Sequence, residues 1–440
     1  MAARNEGVER FRRKLRHADL ALSILIGLGL VWIVWSSGRA NLVTDAVDYY
    51  SILQKLVSPQ AAPLVSNLHF VEQRSPGYPL TAAIAYSAIA VSMKPFVQTQ
   101  RIVGPDRSEP REGPPDGPGA MQLPPAPLRV RRVPFKSFFV PATGAWIEWT
   151  LLLALISTSY TMFVLGIVFI HKVARRCGSP MSGTSLTLML VATSPIFIHN
   201  IVGTPTYATL AAFGYSALFS YFYVRCSTDE NTWKGLLAGL CAGLLVLTRI
   251  ETVLLAIVAF AFILLSPDRR RAWQFAGGFG IAMAGLLMYN SHQFGTPFHM
   301  GFLKGDINRI AVDPAFISAN LIHPRSGIVF WSPMIVIGLV SLGFRRERWA
   351  VALATGSALL LSLYLVKPTA MYLDAGRGEL AEIGGIPMRS YRNVADSLPD
   401  IRHDINRYIT VLVPMAVLGW SHLLQAIGRR KAMRMFAARP

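Results

Sequence analysis

The chain has 440 residues, 52% of them hydrophobic and 15% charged, with a formal net charge of +19. A soluble domain is about one quarter charged, so this composition excludes an ordinary soluble enzyme. Its apolar residues fall in runs of about 15 to 25, near the ~20 that cross a bilayer, and the sequence reads as an all-α polytopic membrane protein.

The positive charge does not point to nucleic acid. It is gathered in tight knots beside apolar runs: RFRRKLRH (10–17), KVARR (172–176), DRRR (268–271), RRER (345–348) and RRKAMR (429–434). Such knots hold loops on the cytoplasmic side, and no aromatic-basic module accompanies them. Cys177, Cys226 and Cys241 form no disulfide or metal pattern and read as small packing residues.

In chain order, residues 1–18 form a cytoplasmic basic N-terminus, followed by a retained first span at 20–36 and a long first external loop at 37–145. In this loop TDAVDYY (44–50) opens a short helix. Asp45 reads as its N-cap and Asp48 sits in its favourable first turn. HFVEQRSPGYPL (69–80) then leads into a second short surface helix over 79–93. Residues 94–141 hold 11 of the 28 prolines and read as a flexible insert.

Further spans are predicted at 146–170, 184–199, 207–224, 234–248, 252–266, 273–289, 328–343, 349–366 and 408–427, with a basic tail at 428–440. This gives about ten transmembrane helices in a domain of 19–427, with both termini cytoplasmic and every knot on one side. Gly235, Gly239 and Gly243 share one helix face, which predicts close helix packing. There is no phosphate-cradling loop ending in Gly-Lys-Ser/Thr, which argues against an ATP-driven pump.

Polar chemistry collects on the external side. Asp45 and Asp48 are joined there by His69, Glu72, Arg74, Arg249, Glu251, Lys304, Arg325, Arg407 and Tyr408. His69 and Glu72, three apart, are a candidate metal pair, and Asp48 is a third candidate ligand for a divalent ion. Arg249 and Glu251 lie in TRIE (248–251), a tight turn between two spans, where they pair or meet a ligand. Several arginines on one face suit a phosphate.

The order of these pieces resembles the GT-C superfamily of multi-pass glycosyltransferases, in particular bacterial relatives of protein O-mannosyltransferase and lipid A aminoarabinose transferase. The matching pieces are Asp45 ahead of a tyrosine and a helix, Pro76-Gly77-Tyr78-Pro79-Leu80, LTRIE, Asn290 to Pro297 around Phe294-Gly295, GIVFWSP (327–333), and Asn406-Arg407-Tyr408. Several features depart from the family, the Pro-rich insert and the want of an external C-terminal domain among them. Ile250 stands where the family has proline, no acidic residue follows span three, and the glycine before the last Arg-Tyr is missing.

The resemblance implies a GT-C-like fold in a bacterial cytoplasmic membrane. It also implies transfer of a sugar from a polyprenyl-phosphate donor to a glycan, lipid or protein acceptor on the external, periplasmic face. Asp45 would be the base for an inverting reaction. Arg74, Arg249, Lys304, Arg325 and Arg407 would hold the phosphate, with Asp48 and Glu72 in support. Tyr49, Tyr78 and Tyr408 would line the sugar pocket or anchor helices at the interface. Two other classes fit a polytopic chain: a transporter or flippase for lipid-linked substrates, and a non-catalytic membrane assembly protein. The first expects charge at mid-membrane and paired halves, and neither is evident here.

Overall fold

In the computed structural model the described residues are 45–57, 76–93, 137–140, 145–179, 207–229, 233–299, 327–366, 382–383, 386–387 and 408–437, with short pieces at 21, 25, 186–187, 317 and 320–322. The predicted spans at 20–36 and 184–199 lie almost wholly outside them, as do His69, Glu72, Arg74, Lys304, Arg325 and Arg407.

The helices are α1 (Asp45–Val57), α2 (Gly77–Met93), α3 (Trp149–Arg176), α4 (Thr209–Thr228), α5 (Trp233–Thr248), α6 (Val253–Leu264), α7 (Arg269–Phe294), α8 (Ile328–Trp331), α9 (Pro333–Gly343), α10 (Arg348–Val366) and α11 (Val413–Ala437). Helical turns at Ile250–Thr252 and Ile409–Leu412 lead into α6 and α11. Two small antiparallel hairpins modify the all-α expectation. One pairs β1 (Ser137–Val140) with β2 (Ala145–Glu148), and the other pairs β3 (Glu382–Ile383) with β4 (Ile386–Pro387). The first begins inside the stretch read as a Pro-rich insert.

Three helices are long and apolar enough to cross a membrane, over Thr150–Arg176, Arg348–Val366 and Ile409–Gly428, and four shorter apolar helices accompany them. This is the architecture of a helical membrane protein; a count of ten spans goes beyond it. α3 illustrates why the sequence forms such an element. Its 28 residues rise about 42 Å at 1.5 Å each, and Arg175 and Arg176 complement the helix dipole in its last turn. Gly178, at φ 75°, then closes the end. Its amide donates to the Arg175 carbonyl and the Ser179 amide to that of Ala174, the two bonds of a glycine-terminated helix.

α4 is the hub, packed on α3, α5 and α11 and buried nearly all round. Phe163 of α3 meets Phe213 of α4 at 5.4 Å between ring centres. The glycine face of α5 meets α7 as predicted: a Cβ on Gly239 would overlap the Phe275 carbonyl, and one on Gly278 the Leu236 carbonyl. Gly338 of α9 and Gly419 of α11 make a second backbone-to-backbone approach. Small residues that let backbones touch are how helices associate where lipid supplies no hydrophobic drive.

The bundle has two chemically distinct ends. At one, Asp229 receives Arg176, Arg225 and Lys234, tying the end of α3 to the junction of α4 and α5. Arg271 of α7 donates to Asp268 and to the Cys226 carbonyl, and Gln425 of α11 donates to the Cys177 carbonyl at 2.6 Å. Three of the basic knots share this end. The other end holds Tyr49, Tyr78, Tyr364 and Tyr408 with Arg249 and the first-loop helix α1.

Candidate active site

α1 begins at Asp45, so Asp45 and Asp48 both stand in its first turn, with Asp45 the first helical residue rather than the cap before it. Acidic groups there oppose the helix dipole favourably. Asp48 is buried at 6% exposure. Tyr49 is also buried, its ring edge-on to Tyr78 of α2 at 5.3 Å.

Tyr78 is fully buried, and its hydroxyl donates to the Leu155 carbonyl at 2.8 Å and accepts from Ser159 at 3.0 Å. The phenol therefore rivets α2 to α3, and through Tyr49 it fixes the seat of α1. Thr81, one turn on, contacts the Tyr215 hydroxyl at 2.6 Å, which adds α4 to the joint. Gly77 lies against the Leu247 backbone, where a side chain would not fit. That close approach brings the start of α2 to the end of α5, and so to Arg249.

Arg249 is held in the turn that the sequence predicted. α5 ends at Thr248, Arg249 is extended (φ −145°, ψ 98°), and Ile250–Thr252 restart the chain into α6. The Thr252 hydroxyl donates to the Arg249 carbonyl at 2.7 Å. The Arg249 side chain is 8% exposed. Its Nη2 donates to the Thr209 hydroxyl at 3.4 Å, and its guanidinium carbon lies 4.8 Å from the centre of the Tyr408 ring. Tyr408 stacks in turn on Tyr364 of α10, 5.4 Å away and 25° from parallel. A buried cation on an aromatic face in a low-dielectric setting is well placed to receive an anion.

Of the residues singled out from sequence, Arg249 and Tyr408 are in direct contact, and Tyr49 and Tyr78 form a second pair. Thr209 and Tyr364 were not anticipated. Tyr364 sits within an apolar run whose only signal is one phenol near its end, and Thr209 within a run of small residues. Nearby, the Asn290 amide donates to the Pro297 and His299 carbonyls at 3.1 and 2.9 Å, closing the NSHQFGTP stretch on itself. His299 stacks on Phe294, and Tyr289 joins Ile52 of α1 in a small apolar cluster.

Residues 140–292 match the model of the family described as dolichyl-phosphate-mannose-protein mannosyltransferase. Over this segment the chain is similar to membrane glycosyltransferases of the GT-C type. The matched segment covers about a third of the chain and contains Thr209, Arg249 and Asn290, while Asp48 precedes it and Tyr364 and Tyr408 follow it. No curated protein and no solved structure matches the chain.

Among the described residues no three His, Cys, Asp or Glu side chains come together as a metal site. Asp48 is the one described member of the candidate ligand set. One carboxylate does not make a metal centre, and no chemical step below is routed through an ion.

Proposed function

We propose that the enzyme transfers a sugar from a polyprenyl-phosphate carrier to an acceptor hydroxyl of a glycan, lipid or protein at the external face of the cytoplasmic membrane, with inversion. The observation that carries this reading is Arg249, a buried guanidinium stacked on Tyr408 at the end of the bundle opposite the basic knots. A phosphate-linked sugar is the donor class of the matched family, and an arginine held on an aromatic ring and a threonine is suited to its phosphate.

The reaction needs little from the protein beyond placement and charge. The acceptor oxygen attacks the anomeric carbon on the face opposite the phosphate, and its proton passes to Asp45. The bond from the anomeric carbon to the phosphate oxygen breaks, and its electron pair leaves with the polyprenyl phosphate. Arg249 balances the charge gathering on that oxygen; a fixed donor of this kind contributes most in a dry site. Arg74, Lys304, Arg325 and Arg407 are proposed to complete the cationic wall, with Glu72 beside them. Asp48 stiffens the first turn of α1 beneath Asp45. Asp45 would then return its proton to water.

The test is turnover by purified full-length enzyme in lipid nanodiscs, given polyprenyl-phosphate sugars and a panel of hydroxyl acceptors, with the product anomer read by NMR. Inversion relative to the donor is expected. A retained anomer would overturn the mechanism, and failure across the panel would favour a non-catalytic assembly role.

A further inference from the structure

The basic end of the bundle contains a cavity that sugar transfer does not use. It has a volume of about 340 Å³ and lies where the last turns of α4 and α6 meet the first turns of α7 and α10. Its apolar lining includes Tyr223, Phe262 and Trp349, and its polar lining includes Asp268, Arg271 and Arg348. Tyr223 and Trp349 are buried, whereas Arg348 is exposed and Arg271 partly so. The cavity therefore has an oily interior and a charged, solvent-reaching part.

The charge in that part is not neutralised. Arg271 spends its Nε on Asp268 at 2.8 Å and its Nη1 on the Cys226 carbonyl. Two guanidinium groups stand against one carboxylate, leaving a net positive lining. Arg345, beside the lining, stacks on Trp349 with its guanidinium carbon 4.7 Å from the ring centre, but its charge is met by Glu347, which accepts from its Nε at 3.0 Å.

Access is from the side as well as from water. Leu264 and Leu265, just before the lining residues Ser266 and Pro267, are 50% and 77% exposed, as expected of side chains that face lipid. A free phosphate ion would gain nothing from Tyr223, Phe262 and Trp349. A molecule with an anionic phosphate head and a hydrocarbon body would satisfy both halves of the lining.

We propose that this cavity is a binding site for the headgroup of an anionic phospholipid, taken from the leaflet at the basic end of the bundle. The phosphate lies between Arg271 and Arg348, and the glycerol and first acyl carbons lie against Tyr223, Phe262 and Trp349. Basic pockets between membrane helices bind anionic headgroups in this way. The site is separated from Arg249 by the length of α5, about 24 Å for its 16 residues, so its occupant is not the sugar donor.

The experiment is native mass spectrometry of the full-length protein in mixed micelles containing phosphatidylglycerol, phosphatidylcholine or both. Wild type is expected to retain one phosphatidylglycerol in preference to phosphatidylcholine. Removing one charge with Arg348→Gln should weaken retention about fivefold, and Arg348→Glu should weaken it further. Arg348 is exposed, so both variants should melt with wild type in phosphatidylcholine alone. Equal retention of the two lipids by wild type, or undiminished phosphatidylglycerol on Arg348→Glu, would overturn the proposal. So would inorganic phosphate stabilising lipid-free protein as well as phosphatidylglycerol does, which would mark a soluble-anion site.

Discussion

Arg249 carries its guanidinium carbon 4.8 Å from the centre of the Tyr408 ring. One residue lies in the segment matched by the family model and the other opens the last helix, 159 positions later in the chain. The contact joins two parts of the sequence that no local pattern connects, and it sets a cation against an aromatic surface, where we propose that a lipid phosphate is held.

Replacing Arg249 should therefore affect turnover far more than folding. Removing one fixed donor to a developing oxyanion lowers kcat by about 10² to 10³-fold, and Arg249→Gln is expected to fall in that range. Arg249→Lys should recover only part of the loss, since lysine keeps the charge without the planar fork. Initial rates at saturating donor give the comparison, with melting temperature as the control. A loss below threefold would remove Arg249 from the site.

Tyr408 contributes its ring to the contacts with Arg249 and Tyr364. Tyr408→Phe is expected to keep donor affinity within about threefold of wild type. Tyr408→Ala loses the stack on Tyr364 and the support under Arg249, together about 1 to 3 kcal/mol, and should raise the KM for donor. Equal defects in the two variants would show that the hydroxyl is the working group.

The glycine seam between α5 and α7 should be intolerant of any side chain. Gly239→Ala places a methyl on the Phe275 carbonyl, so the helices must separate. Overpacking of this kind costs about 1 to 3 kcal/mol. Gly280, whose Cβ position has nothing within 4 Å, is the internal control, and Gly280→Ala should leave the melting temperature nearly unchanged.

Cys177, just beyond the end of α3, reports on the basic end. Burial pushes its thiol up, and the neighbouring Arg345 guanidinium pulls it partly back. The thiolate is the reactive form, so alkylation at pH 8 should be slower than for a free cysteine and should accelerate as the pH rises. Arg345→Met removes the counteracting charge, raises the thiol further and should slow the reaction again. Faster labelling in that variant would contradict the arrangement.

Much of this fold was legible in the sequence because membrane helices announce themselves by composition. The turn at Arg249 was readable as two charged residues between apolar runs, and the α5–α7 seam as glycines spaced by four. The knots marked one end of the bundle because charge cannot enter the bilayer cheaply. The contacts within the site were not readable. Tyr78 reads alike as a pocket residue or an anchor until its hydroxyl is seen bonded to α3. Tyr364 and Thr209 gain their roles from helices that meet only in three dimensions. The β1–β2 hairpin escaped notice because its four-residue strands follow a proline-rich stretch that masks their alternation.

The proton acceptor is the most direct point of test. Asp45→Asn keeps the size of the side chain at the start of α1 while removing the carboxylate that we propose as the base. Transfer from a labelled polyprenyl-phosphate sugar by purified wild type and Asp45→Asn, at equal donor binding, is the deciding measurement. A fall in kcat of about 10² to 10⁴-fold is expected for loss of a general base. Full activity in Asp45→Asn would contradict the assignment of Asp45 as the base.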